Sequence, residues 1–149
     1  MMKTFSIGGI HPSDKKISKD CKIEVLPLPS KVFVSMAQHL GVPATPVVKA
    51  GDIVKVGQVI AEPAGFISAF VHSPVSGTVK SVGPRKDLAG NNMVHVEIDV
   101  EGDEWAEGID ISSEIITSIP EENKAILDKI KMNGVVGLGG ATFPTHVKL

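Results

Sequence analysis

The sequence predicts a mainly β chain that closes with one helix and a glycine-rich loop. Three observations predict it. Between Pro46 and Val100, β-branched residues alternate with polar ones in short runs separated by glycine-containing turns. After Pro120 the apolar spacing changes from two residues to that of a helix. From Gly137 onward, Gly137, Gly139 and Gly140 crowd into a few residues before Leu149.

The first run, Pro46 to Ala61, is broken by Gly51-Asp52 and Gly57-Gln58. Ala69 to Gly83 repeats the same rhythm of strand and glycine turn, and Met93 to Val100 is a clean period-two strand. Leu88-Ala89-Gly90-Asn91-Asn92 joins them, a connection whose glycine and asparagines tolerate positive φ. At Gly102-Asp103-Glu104-Trp105-Ala106-Glu107-Gly108 the alternation stops, so the β body is expected to end at residue 104 and a linker to run over 105–119. Pro120 then suits the first helical position, with Glu121 and Glu122 in the first turn, Ala125, Ile126, Leu127 and Ile130 at helical spacing, and Lys129 and Lys131 in the last turn. Asn133-Gly134 is a good stop after roughly three turns. A Val135-Val136 strand leads into the loop Gly137-Leu138-Gly139-Gly140-Ala141-Thr142-Phe143-Pro144-Thr145, which reads as running into the start of another helix.

Glycines without Cβ atoms let consecutive backbone N–H groups converge on an anion, and a helix N-terminus adds partial positive charge, so a phosphate is the expected guest of that loop. Gly-x-Gly-Gly alone is weak, since clustered glycines are common in loops that bind nothing. A further domain is expected to begin where residue 149 ends.

Composition excludes several classes of function. The 149 residues are 42% hydrophobic and 21% charged, enough for one core of ordinary size plus an appendage. A net charge of −2 and a pI near 6.2 leave no basic stripe for nucleic acid or anionic lipid. No apolar run approaches the roughly 20 residues that span a bilayer, and no secretory signal opens the chain, so a cytoplasmic protein is expected. The lone Cys21, among Lys19, Asp20 and Lys22, rules out an internal disulfide framework or an all-cysteine metal site and reads as an incidental thiol. His72 and His95 fall on strands, His11 and His39 in or beside loops, and none is spaced for a metal site.

The pair Gly51-Asp52-x-Val54-x-x-Gly57-Gln58 and His72-Ser73-Pro74-x-x-Gly77-x-Val79 resembles the barrel-sandwich hybrid of biotinyl and lipoyl carrier domains. Such carriers need a lysine at the tip of the hairpin joining the two motifs. The segment from Gln58 to Val79 contains none, and the tip falls near Gly65-Phe66-Ile67, so neither lipoate nor biotin is expected. Phe66 and Phe70 either pack internally or form a docking patch.

Gly137 to Lys148 resembles the flavin-binding loop of the FMN-carrying, NADH-oxidising subunit of respiratory complex I, with Leu138 where that loop usually carries arginine. Phe5-Ser6-Ile7-Gly8-Gly9-Ile10-His11-Pro12, Glu24-Val25-Leu26-Pro27-Leu28-Pro29 and Gln38-His39-Leu40-Gly41-Val42-Pro43-Ala44 are similar to the opening of the C subunit of the Rnf electron-transport complex, and Leu138 fits that family better. The A subunit of the sodium-pumping NADH:quinone reductase matches less well. The Rnf resemblance implies an extended segment over 1–24, a barrel-sandwich hybrid over 25–104, the linker, and over 120–149 a helix with the truncated start of an α/β flavin domain. It implies a peripheral subunit on the cytoplasmic side of the bacterial inner membrane, held there only by its partner subunits. That subunit exchanges a hydride with NAD(H) at FMN and passes single electrons through 4Fe-4S iron–sulfur clusters to or from ferredoxin. By the same resemblance, Gly137, Gly139, Gly140 and Ala141 bring backbone donors to the flavin phosphate, Lys148 adds charge, and Phe143 packs beside the isoalloxazine or nicotinamide. The plainer alternative for Phe143 and Pro144 is loop packing. The cluster ligands are expected outside this chain, so residues 1–149 alone should bind no cofactor and oxidise no NADH. The rival reading is a noncatalytic docking module on an unmodified carrier scaffold.

Overall fold

The computed structural model describes residues 15–87, 89–115, 117–118 and 122–149. The Phe5–Pro12 motif with His11, Leu88 of the turn-rich connection, and Pro120 and Glu121 at the expected helix start lie outside the described residues.

The strands in chain order are β1 (Lys31–Ser35), β2 (Thr45–Pro46), β3 (Ile53–Val54), β4 (Val59–Glu62), β5 (Val71–His72), β6 (Ser76–Lys86) and β7 (Asn92–Gly102). They form two antiparallel sheets, β1-β7-β6-β3 and β2-β4-β5. The spine of the larger sheet is the β6–β7 hairpin, paired from Gly77 opposite Val100 to Lys86 opposite Asn92, with an irregularity between Val79 and Ser81. β1 adds to the far side of β7, from Lys31 opposite Asp99 to Ser35 opposite His95. The sequence reading starts the strands at Pro46; the structure adds β1, whose Lys31-Val32-Phe33-Val34-Ser35 alternates in the same way.

Alternation sends Val34, Val54, Val79, Val96 and Ile98 of the larger sheet inward against Ile60, Ala61 and Val71 of the smaller one. Met36, Ala44 and Val75 from the connections complete this core. Each fully buried valine or isoleucine contributes about 1.5–3 kcal/mol, so the core is the main source of stability. Two turns of one design shape it. In Lys49-Ala50-Gly51-Asp52, the Asp52 N–H donates to the Lys49 carbonyl (3.1 Å) and the Asp52 carboxylate accepts the Lys49 N–H (2.9 Å). In Lys55-Val56-Gly57-Gln58, Gln58 makes the same two bonds to Lys55, at 3.1 and 3.0 Å. The third position is glycine in both, with φ of 91° and 80°, because this turn needs a left-handed residue there. This mainly β architecture is the barrel-sandwich hybrid that the sequence predicts.

Among the described residues of the β6–β7 connection only Gly90 takes a positive φ; the asparagines do not. Asp87 supplies the order instead, its carboxylate accepting the N–H groups of Ala89 (2.9 Å) and Asn91 (2.8 Å).

Helix α1 (Asn123–Met132) starts later than the sequence reading has it: Glu122 is the N-cap residue, with an extended backbone and no side-chain capping bond, and is not in the first turn. Lys129 and Lys131 do occupy the last turn, and Asn133 ends the helix before Gly134 reverses the chain at φ 63°. No residue of α1 is fully buried; Ile126 and Leu127 line a hollow with Leu149. The expected Val135-Val136 strand is a single bridge between Val136 and Pro144. The expected α-helix after the loop is instead a 3₁₀ turn over Thr145–Val147, held by Val147 N–H to Pro144 C=O (3.2 Å) and Lys148 N–H to Thr145 C=O (2.9 Å). Such a turn brings no α-helical dipole to the loop.

Candidate functional site

The glycine-rich loop is closed at its base and open at its tip. Gly137 N–H donates to Phe143 C=O (3.1 Å) and Thr145 N–H to Val135 C=O (3.0 Å), flanking the Val136–Pro144 bridge. Within the loop, Gly140 N–H reaches the Gly137 carbonyl at 3.4 Å. The N–H groups of Leu138, Gly139 and Ala141 make no hydrogen bond to the described residues. A Cβ at Gly139 or Gly140 would meet nothing within 4 Å, so open space lies beside both. Unspent backbone donors beside open space are what an anion requires.

The structure brings three of the sequence-predicted residues together. Lys148 Nζ lies 5.6 Å from the centroid of the Phe143 ring, and a Cβ on Gly137 would sit 3.7 Å from that same ammonium. Gly139, Gly140 and Ala141 lie around the tip, away from this base cluster, with Leu138 exposed between the glycines. Pro144 is fully buried and Phe143 half-buried, so packing accounts for the proline while part of the phenylalanine stays accessible.

Sequence reasoning misses the surroundings of the loop. Thr142 is the non-glycine residue with positive φ (51°) among the described residues, and its carbonyl accepts the Leu40 N–H at 3.3 Å. Beside Leu40, the buried imidazole of His39 accepts the Ala69 N–H on Nε2 at 3.1 Å. An N–H can only donate, so Nε2 is unprotonated and Nδ1–H faces the Leu40 carbonyl at 3.2 Å. His146, on the 3₁₀ turn, has a buried Nδ1 without a partner among the described residues; burial first, then the charge of Lys131, holds its pKa below the ordinary value. His72 of β5 is likewise lowered by burial, opposed by a hydrogen bond to the Met132 backbone. The signal for His39 was present in Gln38-His39-Leu40-Gly41, yet sequence gives no sign that this histidine is an interior strut.

At the hairpin tip, Phe66 is exposed and Phe70 half-buried. The tip is tied down by the buried Ser68 hydroxyl, which donates to Val42 C=O (2.9 Å) and accepts the Ala64 N–H (3.2 Å). Among the described residues no three His, Cys, Asp or Glu side chains are grouped to hold a metal, and no helix is long and apolar enough to cross a membrane.

Residues 3–103 match the family described as the RnfC barrel sandwich hybrid domain. The chain is 42% identical over its whole length to the C subunit of the proton-translocating ferredoxin:NAD(+) oxidoreductase complex of Clostridium ljungdahlii, covering 32% of that protein. It is 41% identical over 95% of its length to the Na(+)-translocating counterpart of Acetobacterium woodii, again covering 32%. Against the C subunit of the ion-translocating oxidoreductase complex of Rhodobacter capsulatus it is 38% identical over 99% of the chain and 29% of the relative. The chain therefore spans about a third of the length of the curated relatives it matches.

Proposed function

The chain belongs to the family of Rnf-complex C subunits, and from that premise we propose that it forms part of the subunit through which electrons pass between NAD(H) and ferredoxin in an ion-translocating membrane complex. The observation that carries the reading is the glycine loop, with three unspent N–H donors over open space and a lysine at its base. FMN fits these residues. Leu138, Gly139 and Ala141 N–H groups would bind the phosphate, glycines at 137, 139 and 140 would let it approach, Lys148 would add positive charge, and the accessible part of Phe143 would border the ring system. Bound flavin accepts two electrons as a hydride and releases them singly; what this chain does is hold and orient it. An iron–sulfur cluster does not fit. Such clusters take about four thiolates, and Cys21 is the lone cysteine, exposed. The cluster ligands therefore belong to other parts of the subunit.

The domain limits follow the same reading: an N-terminal segment over 1–24, the barrel over 25–104, a linker over 105–119, and over 120–149 the entry to a flavin domain. The subunit is peripheral, on the cytoplasmic face of the bacterial inner membrane, and is held there by the other Rnf subunits. Residues 1–149 alone turn over no NADH. A second reading, a docking module without chemistry, is favoured by one observation: Phe66 at the hairpin tip is 81% exposed.

The deciding experiment is a visible spectrum of the longer polypeptide containing this sequence, before and after anaerobic NADH. Flavin bands with a broad iron–sulfur shoulder that bleach on NADH are expected. A colourless protein overturns the electron-entry role and leaves the docking module. NADH oxidation or tight FMN binding by residues 1–149 overturns the assignment of the remaining machinery to other parts of the subunit.

A further inference from the structure

We propose that the barrel positions the glycine loop, and that His39 and Leu40 are positioning residues of the flavin site; this rests on the flavin reading above. The bonds at the base of the loop fix its ends and leave its tip to other restraints. One hydrogen bond joins the barrel to residues 137–143 among the described residues, from Leu40 N–H to Thr142 C=O. It holds the residue with the least comfortable backbone in the loop. Positive φ in a β-branched residue persists only where the surroundings impose it, and such residues gather at ligand sites. With Thr142 held this way, its hydroxyl donates to the Ala141 carbonyl (2.7 Å), while the Ala141 N–H is left unspent.

The turn that supplies the Leu40 donor is itself clamped. Gly41 has φ of 104°, and a Cβ there would lie 2.2 Å from the Ile67 carbonyl, so the turn presses backbone to backbone on the Ile67–Ala69 segment. Val42 N–H donates to that same Ile67 carbonyl at 3.0 Å. His39 completes the clamp, joining Ala69 N–H on one side to Leu40 C=O on the other. A continuous set of hydrogen bonds therefore runs from the hairpin tip through His39 and Leu40 to the loop. The hairpin holds no lysine between Gln58 and Val79; its Ile67–Ala69 segment instead serves as the platform for the Leu40 turn.

The test is amide hydrogen exchange on residues 1–149 by NMR, which needs no ligand. In His39→Ala, exchange at Leu40, Gly137 and Gly140 should rise about tenfold or more while the β6–β7 amides keep their protection. His39→Gln, which restores an acceptor and a donor, should recover most of it. Unchanged protection at Gly137 and Gly140 in a folded His39→Ala variant overturns the proposal. If that variant does not fold, Thr142→Gly decides, since it alters the loop and leaves the barrel intact: faster Leu40 exchange is expected, and an unchanged Leu40 overturns the coupling. In the longer polypeptide, His39→Ala should lower retained flavin by roughly fivefold, about 1 kcal/mol of binding, with His39→Gln near wild type. Full flavin in His39→Ala beside a loosened loop overturns the positioning role. A wild-type polypeptide without flavin overturns the flavin reading instead, and leaves the exchange result standing.

Discussion

The barrel and the C-terminal segment are held by different means. In the barrel, two sheets close over a shared interior in which Met36, Val54, Ile60, Val96 and Ile98 are wholly shielded from water. In residues 122–149 no helical residue is fully buried, a Cβ at Gly139 or Gly140 would meet nothing within 4 Å, and Leu138 and Leu149 are exposed. The barrel's order comes from burial and is its own. The segment's order comes from a few directional contacts with the barrel: Leu40 with Thr142, His72 with the Met132 backbone, and Gly134 against Phe70. A region that must receive a ligand keeps its donors unspent, and its stability is then borrowed from a neighbour that has no such duty.

A core substitution and a loop substitution should differ most in cost. Ile60→Ala removes three buried carbons from the centre of the smaller sheet. It should lower unfolding stability by about 2–5 kcal/mol, read from chemical denaturation followed by far-ultraviolet circular dichroism. Leu138→Ala, at an exposed loop position, should stay within about 0.5 kcal/mol. A comparable loss from both would mean that the segment and the barrel unfold as one cooperative unit.

A second substitution separates the regions from the other side. Gly134 sits at φ 63°, and a Cβ there would lie 2.4 Å from the Phe70 carbonyl. Gly134→Ala therefore strains the reversal after α1 and pushes the helix off β5, a local cost of about 1–3 kcal/mol. Proteolysis or hydrogen exchange should show α1 and the loop opening while the β6–β7 hairpin keeps its protection. A fall in barrel stability of the same size would show that α1 acts as a third layer of the core.

What the sequence disclosed follows the same division. Alternation between Pro46 and Val100 made the sheets legible because each strand has one face on the core and one in water, as Val79-Lys80 and Val96-Glu97-Ile98 show. β1 carried the same signal in five residues but stood apart from the glycine-punctuated repeat. The helix was legible from Ile126, Leu127 and Ile130, although its start lies at Asn123, where the Glu122 backbone is still extended. The loop's composition was plain and its geometry was not. Nothing local announces that Thr142 takes positive φ or that the chain after Pro144 makes a 3₁₀ turn. Nor could spacing place Leu40, about a hundred residues earlier, beneath Thr142, since that contact depends on the Gly41 turn being pressed onto Ile67.

The smallest expected effect is that of pH, and both responsive histidines lie where the segment meets the barrel. His72 faces the Met132 backbone, with Asp110 and Lys129 lining the same hollow; His146 lies near Lys131 and His39. Burial lowers both pKa values below the ordinary imidazole value of about 6.5. In the opened segment each imidazole regains that ordinary value and takes up a proton more readily than in the docked one. Protonation therefore favours the opened form, so docking is fully supported above about pH 6.5 and weakens as pH falls below it. Between pH 7.5 and 5, exchange at Gly134, Gly137 and Leu40, corrected for intrinsic rates, should rise while the β6–β7 amides hold. His72→Gln should reduce that response and His72→Gln/His146→Gln abolish it. A response that persists in the double variant would place the titrating group outside these two histidines and overturn their assignment as the responsive groups.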